Sequence, residues 1–496
     1  MKYDYIIVGG GPCGLSICHL LAKTGKKILL LEGENSLGGC HRVARVDGYF
    51  TEHSPRVYST SYKNLEYFFK DMNLSFHEIF TPYKFKISDI GKKNILSLKK
   101  SELLQLVFEF LKLVMNNDYG SDISMKQFMI NNNFTDASID YIDRVCRVVD
   151  GATSEKFSLN EFLEIANQQA FYPLYQPKKP NDEGFIKAWQ DYLIKNKVEI
   201  KLNSKLTKVV PEENKIIING NDTFEFDKLV LALNPYVISK IIPNTSIFPL
   251  ITPQYASRTR YLTYISMSFH WDKKLVLPKI QGFSASEWGV VFIMMSDYFE
   301  NYKGTLASVA ITILNKNSSV LNKSANEISD VQQLQKETFR QFVSSFQGAD
   351  IPSPDKISMY PGTTYVGKEP YGGWTSQNGS FFNSFENNNV FIPFQSPNFK
   401  NIYNLGCQNG YQTYKFTAIE SAVTNSVYLA KELEPQIKYF NPKTGMSVAI
   451  VLKVIFIILG IFALILLYKQ QTSPQLIIGF VFVIATLLIY IGKSKS

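Results

Sequence analysis

Three glycines near the start of the chain have the spacing of a phosphate cradle. Gly9, Gly11 and Gly14 fit GxGxxG within Gly9-Gly10-Gly11-Pro12-Cys13-Gly14. The spacing gives each a task. Gly9 permits a tight turn, Gly11 lets backbone approach a pyrophosphate, and Gly14 lets the next helix pack against the strand before it. Pro12 and Cys13 lie within the motif beside the expected phosphate, and the helix that follows offers free N–H groups and the positive end of its dipole. Glu32, eighteen residues past Gly14, is placed to accept from ribose hydroxyls and to repel a 2′-phosphate. This chemistry is dinucleotide binding, but a lone GxGxxG is also an ordinary glycine-rich turn.

The frame around the glycines decides between the two. Tyr3-Asp4-Tyr5-Ile6-Ile7-Val8 is a nearly continuous apolar run, as a buried parallel strand requires. Leu15 to Thr24 is helical in pattern and closes on Gly25, and Lys27 to Leu31 is a second strand ending at Glu32. The whole strand–helix–strand unit with its terminal acid fits into about thirty residues.

The rest of the composition mostly excludes. The chain has 496 residues, 45% hydrophobic and 19% charged, with a formal net charge of +9. That is globular composition with ample length for a large core. Met446 to Ser496 hold four lysines and no acid, so the body before them carries only +5, and no basic stripe is interleaved with aromatics. A nucleic-acid partner is not expected. Five scattered cysteines (Cys13, Cys18, Cys40, Cys146, Cys407) form no CxxC pair, and five histidines show no zinc spacing. We expect no disulfide framework and no metal. The chain opens straight into a strand, so no signal peptide is expected.

Further motifs follow the cradle. Leu37-Gly38-Gly39-Cys40-His41-Arg42 comes just after the second strand, then Tyr49 to Arg56 with His53-Ser54-Pro55-Arg56. Ile402 to Gly410 holds Gly406-Cys407-Gln408, and Thr417-Ala418-Ile419-Glu420-Ser421-Ala422 opens a helical stretch. In this order they resemble the flavoprotein superfamily of monoamine oxidases, protoporphyrinogen oxidases, phytoene desaturases and UDP-galactopyranose mutases. The likeness covers most of residues 1–435. It implies non-covalent FAD as cofactor, with Gly39 and Arg42 near the pyrophosphate, Leu206 near the adenine, and Gly406 and Gln408 near the flavin. Cys40 stands where the family usually has arginine, and Gln408 where it often has an acid. Trp374 falls at the position of a flavin-linking cysteine in some members, and Tyr414 at one of two ring positions that clamp the substrate. Tyr414, Trp374 and Arg56 are therefore the candidate catalytic residues, with His53 a weaker one. The strand resembling Tyr261 to Trp271 lacks the lysine that many amine oxidases carry.

The implied fold is α/β: a Rossmann-like FAD-binding domain (residues 1–80, 186–236 and 401–435) interleaved with an α+β substrate domain (81–185, helical, and 237–400). The implied function is an FAD-dependent oxidoreductase acting on a small organic molecule. A non-redox mutase and a non-catalytic FAD-bound protein remain open alternatives. Oligomeric state is not legible.

The tail adds an expectation of its own. Met446 to Tyr468 is apolar apart from Lys453, and Leu476 to Ile491 is a second apolar run. At about 1.5 Å per residue the first is long enough to cross a hydrocarbon core. The expectation is a transmembrane helical hairpin over 446–492. Lys438, Lys443, Lys493 and Lys495 against the single loop lysine Lys469 would keep the body cytosolic.

Overall fold

The computed structural model describes residues 2–468 apart from 88–97, 243–245, 260–263, 282–284, 347–348, 368–372, 377–385, 387–389, 412–413 and 415–416. Along the chain run β1 (Lys2–Val8), α1 (Pro12–Leu21), β2 (Ile28–Leu31), β3 (Tyr49–Glu52) and α2 (Lys63–Asp71). Next come α3 (Lys100–Met115), α4 (Asp136–Asp150), α5 (Leu159–Gln169), α6 (Phe185–Lys195), then β4 (Glu199–Lys201), β5 (Leu206–Val210), β6 (Lys215–Ile218) and β7 (Asp222–Leu231). A second set holds β8 (Ile265–Trp271), β9 (Val290–Met294), β10 (Thr305–Ile311), α7 (Val331–Val343) and β11 (Lys356–Met359); β12 (Ile402–Asn404), α8 (Ile419–Leu433) and α9 (Val448–Tyr468) complete the order.

The first sheet runs β5-β6-β7-β1-β2-β4, with β12 beside β7. Its centre is parallel: β1 pairs in register with both β2 and β7. β7 is long enough to serve two partners along one edge. Its start pairs antiparallel with β6, and Leu229–Leu231 pair parallel with Ile402–Asn404. The β6–β7 turn uses Asn219 and Gly220, both at positive φ, as a tight hairpin demands. Both faces are covered, one by α1, α2, α6 and α8 around Trp189 and Phe68, the other by Ile238, Phe248 and Tyr255. That is why β1 and β2 read as continuous apolar runs.

The second sheet is antiparallel, β9-β10-β8-β11, and packs its Phe269 and Phe292 face on Phe342 of α7. β3 laces the two halves together. Ser308 Oγ donates to Glu52 Oε1 at 2.6 Å, His270 Nε2 lies 2.9 Å from the Phe50 carbonyl, and Ser266 Oγ donates to the His53 carbonyl. α3, α4 and α5 form a small bundle with its own core of Leu113, Met129, Ile142 and Leu163. α5 starts on a capping box between Ser158 and Glu161.

The tail requires a correction. Among the described residues no helix is long and apolar enough to cross a membrane, so the transmembrane hairpin expected over 446–492 is not part of this fold. α9 is instead tied to the body at its start. The Ala449 amide donates to Asn167 Oδ1 at 2.7 Å, the Met446 amide to the Tyr172 hydroxyl at 2.6 Å, and Lys453 Nζ to Asn117 Oδ1 at 3.1 Å. These contacts hold its first turns to the helical bundle. The second run, Leu476 to Ile491, lies outside the described residues. The cytosolic placement rested on two spans and falls with them.

Replacing Asn167 with alanine removes the acceptor that holds the first turn of α9. Amide exchange across Ser447–Val451 should then quicken about fivefold, the effect of losing one hydrogen bond worth about 1 kcal/mol. Unchanged exchange would show that α9 is held by other contacts.

Candidate functional site

A single cavity of about 1450 Å³ runs from the GxGxxG turn, past Gly39–Arg42 and His53–Arg56, to the face of the second sheet. Its cradle end is shaped by close backbone approach. Gly9 has φ +109°, and a Cβ there would meet the Ala232 carbonyl oxygen at 2.4 Å; a Cβ on Gly14 would meet the Gly9 carbonyl oxygen at 1.8 Å. Both positions are closed to any other residue. Gly11 differs: a Cβ there meets nothing nearer than Gly39 Cα at 3.6 Å. Gly39 is itself at φ +55°, and a Cβ on it would lie 2.9 Å from Gly11 Cα. The two glycine motifs therefore press backbone to backbone, and the Gly38 amide donates to the Gly10 carbonyl at 2.8 Å.

Two helices begin at this cavity without a side-chain cap. α1 starts at Pro12 after Gly11, and α8 at Ile419 after Ala418. Their first turns line the cavity through Pro12, Cys13, Ala418 and Ile419. Uncapped first-turn N–H groups and two dipole ends attract negative charge. Glu32 is buried, and its carboxylate accepts from the Gly10 amide at 2.7 Å and the Glu34 amide at 3.0 Å. Burial raises its pKa, against the pull of those two donors. It thus braces the turn, and its remaining lone pairs are available to a ribose. Arg42 is buried with Nη1 3.8 Å from Glu32 Oε1, so it reaches back towards the cradle from its place after Gly39. Leu206 lines the same end beside Lys205.

Gln408 supplies the test of fit at the far wall. It is fully buried, and its Nε2 donates to the Leu233 carbonyl and to Asn404 Oδ1, both at 3.3 Å. Its Oε1 has no protein partner. A buried acceptor left open is costly unless something donates to it, and a cofactor hydroxyl or ring N–H is the right chemistry. Gly406, beside it, donates its amide to Asn409 Oδ1 at 2.8 Å. Two uncapped helix starts, the Gly11–Gly39 groove and this orphaned acceptor fit a dinucleotide.

Arg56 and His53 face each other in the middle of the cavity. Arg56 Nε donates to the Cys40 carbonyl at 3.0 Å, and its Nη2 lies 3.3 Å from His53 Nδ1. Burial and then the Arg56 charge push His53 down to about 3, so the ring is neutral. Because Nδ1 accepts from a guanidinium, Nε2 is the nitrogen that carries the proton. Glu52, next in the chain, is pushed up to about 7 by burial, opposed by Ser308 and Arg56.

The remaining candidates lie deeper. Trp374 lines the cavity but belongs to the core of the second sheet, and its indole N–H donates to the Ile328 carbonyl at 3.0 Å. Tyr414 is buried edge-on against Tyr62, 5.8 Å between centroids, and it is Tyr62 that lines the cavity. The structure therefore brings the cofactor candidates other than Gly14, together with Arg56 and Trp374, to one cavity, and sets Tyr414 behind Tyr62. Of the segment Pro370-Tyr371-Gly372-Gly373 that precedes Trp374, Gly373 alone is among the described residues. Sequence reasoning missed Tyr62, Arg147, Tyr264 and Thr312, all lining the cavity. Asp143 and Arg147 sit four apart on α4 and look like a surface pair, so no local signal marks Arg147.

Two outcomes follow for this site. Gly11→Val should fold with an unchanged melting midpoint and lose cofactor absorbance, whereas Gly14→Ala should not accumulate as folded protein; a Gly11→Val protein that keeps its cofactor would remove the groove from the binding site. Glu52 titrates near 4.5 when unfolded and about 7 when folded. The unfolded chain therefore loses this proton first, and stability declines between pH 4.5 and 7 by about 3 kcal/mol from this group alone. Glu52→Gln should flatten that decline in urea melts across the same pH range.

A model of the family described as flavin containing amine oxidoreductase matches residues 12–426. The chain is 39% identical over 62 residues to UDP-galactopyranose mutase of Mycoplasma pneumoniae, covering 12% of this chain and 16% of that protein. It is 22% identical over 282 residues to a probable flavin-containing monoamine oxidase A of Dictyostelium discoideum, covering 50% and 60%. The chain thus spans less than two thirds of either curated relative. In fold it is similar to wild-type putrescine oxidase bound to putrescine, with TM-score 0.61 and 15% identity over 88% of this chain and 99% of that one. The family match begins at the first residue of α1 and ends within α8, the two helices whose starts line the cavity: the chain belongs to the flavin-containing amine oxidoreductases, and FAD is its cofactor.

Proposed function

We propose that this FAD-dependent oxidoreductase oxidises a mainly apolar organic substrate held against the second sheet, and passes the electrons to oxygen or another acceptor. The observation that carries the reading is the continuity of the cavity. The dinucleotide cradle and a wall of Val291, Phe292, Ile293 and Ala310 bound the same space. FAD, when bound without a covalent link, supplies the hydride acceptor. The chain supplies position and electrostatics. The sheet wall excludes water from the reacting carbon, and Arg56 holds positive charge beside the cofactor's path. The uncapped start of α8 adds its dipole to the same field. Neutral His53 offers a proton donor that does not titrate near neutral pH.

The test is spectroscopic. Purified protein should show a flavin band that denaturation releases, and a substrate should bleach it anaerobically before air restores it. A colourless protein, or one whose flavin no apolar substrate reduces, would overturn the reading. The short stretch of identity to a mutase favours a second, non-redox reading. It predicts that pre-reduced protein turns over substrate with no acceptor consumed.

We further propose that the body works at a lipid surface, lying on it rather than crossing it. α3 and α9 pack side by side and expose Leu104, Val107, Phe108, Ile458, Leu459 and Phe462, each more than half exposed. Every charged residue after Glu434 is a lysine, and the chain continues into another apolar run, which suits an anionic bilayer. The full chain should co-sediment with vesicles containing phosphatidylserine, and the pair Leu104→Glu and Phe108→Glu should lower the bound fraction at least fivefold. Equal binding by that pair, or none by the unaltered chain, would sink the idea.

A further inference from the structure

The cavity is charged unevenly, and the imbalance bears on what it holds. Among its described lining residues the carboxylates are Glu32 and Glu34, both at the ribose end. The opposite half is walled by valines of α4, by Phe292 and by Trp374, and its charged lining residues are Arg56 and Arg147. A cationic amine entering that half would leave water, meet apolar walls and two guanidinium groups, and find no described carboxylate to pair with. An ion desolvated without a partner is strongly disfavoured.

Arg147 is built to receive an anion. It projects from α4 and is 13% exposed. Its Nε donates to Asp143 Oδ2 at 2.6 Å and its Nη1 to the Thr312 carbonyl at 2.8 Å. These bonds come from two different elements and fix the plane of the guanidinium, and among the described residues none accepts from Nη2. Tyr264, which also lines the cavity, donates its hydroxyl to the Arg147 carbonyl and steadies the backbone that carries the group. A planar donor, held in place in the wall of a largely apolar compartment, suits a carboxylate.

We infer that the substrate is an apolar molecule bearing an anionic group, a carboxylate in the simplest case, which Arg147 binds, and that the site discriminates against cationic amines. The inference rests on reading this cavity as the substrate site of the flavoenzyme, and names the class of molecule that site takes.

The experiment uses the full-length FAD-bound protein and three probes of equal chain length: decanoate, decanol and decylamine. Binding is read from perturbation of the flavin visible band under anaerobic conditions, and independently by titration calorimetry. Decanoate should bind at least tenfold more tightly than decylamine. Arg147→Gln should weaken decanoate at least tenfold and leave decanol within twofold, and Arg147→Lys should recover part of the loss. Decylamine binding as tightly as decanoate, or decanoate indifferent to Arg147→Gln in a protein with a normal melting midpoint, would overturn the inference. Should Arg147→Gln not fold, the order of the three probes on the unaltered protein and the decanoate affinity of Arg147→Lys decide the matter. Failure of the flavoenzyme reading looks different: the protein is colourless, while calorimetry still reports the order of the probes.

Discussion

The fold depends on one steric contact. Helix α1 can start where it does only because Gly14 has no Cβ, since one there would stand 1.8 Å from the Gly9 carbonyl oxygen. That approach aims the first turn of α1 into the cavity. It also lets α1 pack along its length on α8, where Ser16 and Ser426 share a hydrogen bond of 2.6 Å. α8 then brings its own uncapped start to the same space from the far end of the chain. Residues more than four hundred apart are fixed to one another through a missing methyl group. Glu32 completes the arrangement by holding the Gly10 amide at 2.7 Å, so a buried carboxylate braces the turn.

The second dependence is electrostatic. Half-buried Arg56 stands beside buried His53 and Glu52, and a charged His53 there would be repelled by it. Instead burial keeps His53 neutral and raises Glu52, while hydrogen bonds from Ser308 and to the Cys40 carbonyl satisfy what remains. The positive charge therefore survives in the middle of the cavity. The same strand, β3, carries Glu52 into the seam with the second sheet, so the polar network that fixes the charge also fixes how the two halves of the molecule meet.

The apolar tail shows how composition can mislead about role. Its first run reads in sequence as a spanning segment, yet among the described residues no helix is long and apolar enough to cross a membrane, and Asn167, Tyr172 and Asn117 hold its start to the helical bundle. The pairing of α9 with α3 places two apolar faces on one side of the molecule, and α5, which also packs against both, contributes Ile165 and Gln169 to the cavity wall. The exposed apolar ridge and the cavity wall are thus joined through a single helix.

The sequence alone determined the strand–helix–strand unit, the glycine tasks and the place of Glu32, because these depend on contacts within about thirty residues and on backbone geometry that only glycine allows. The order of later motifs was also legible, and with it the return of β7 and β12 to the first sheet. Tertiary structure alone decided the rest. Tyr414 sits behind Tyr62 because the facing of a side chain in an irregular segment is set by packing and not by spacing. Arg147 faces the cavity because Thr312, 165 residues later, receives one of its hydrogen bonds. On α4 by itself, Asp143 and Arg147 are an ordinary i,i+4 pair. The charge of a site is a sum over elements that meet only after folding, so the sequence could name the cofactor's half of the cavity and was silent about the substrate's.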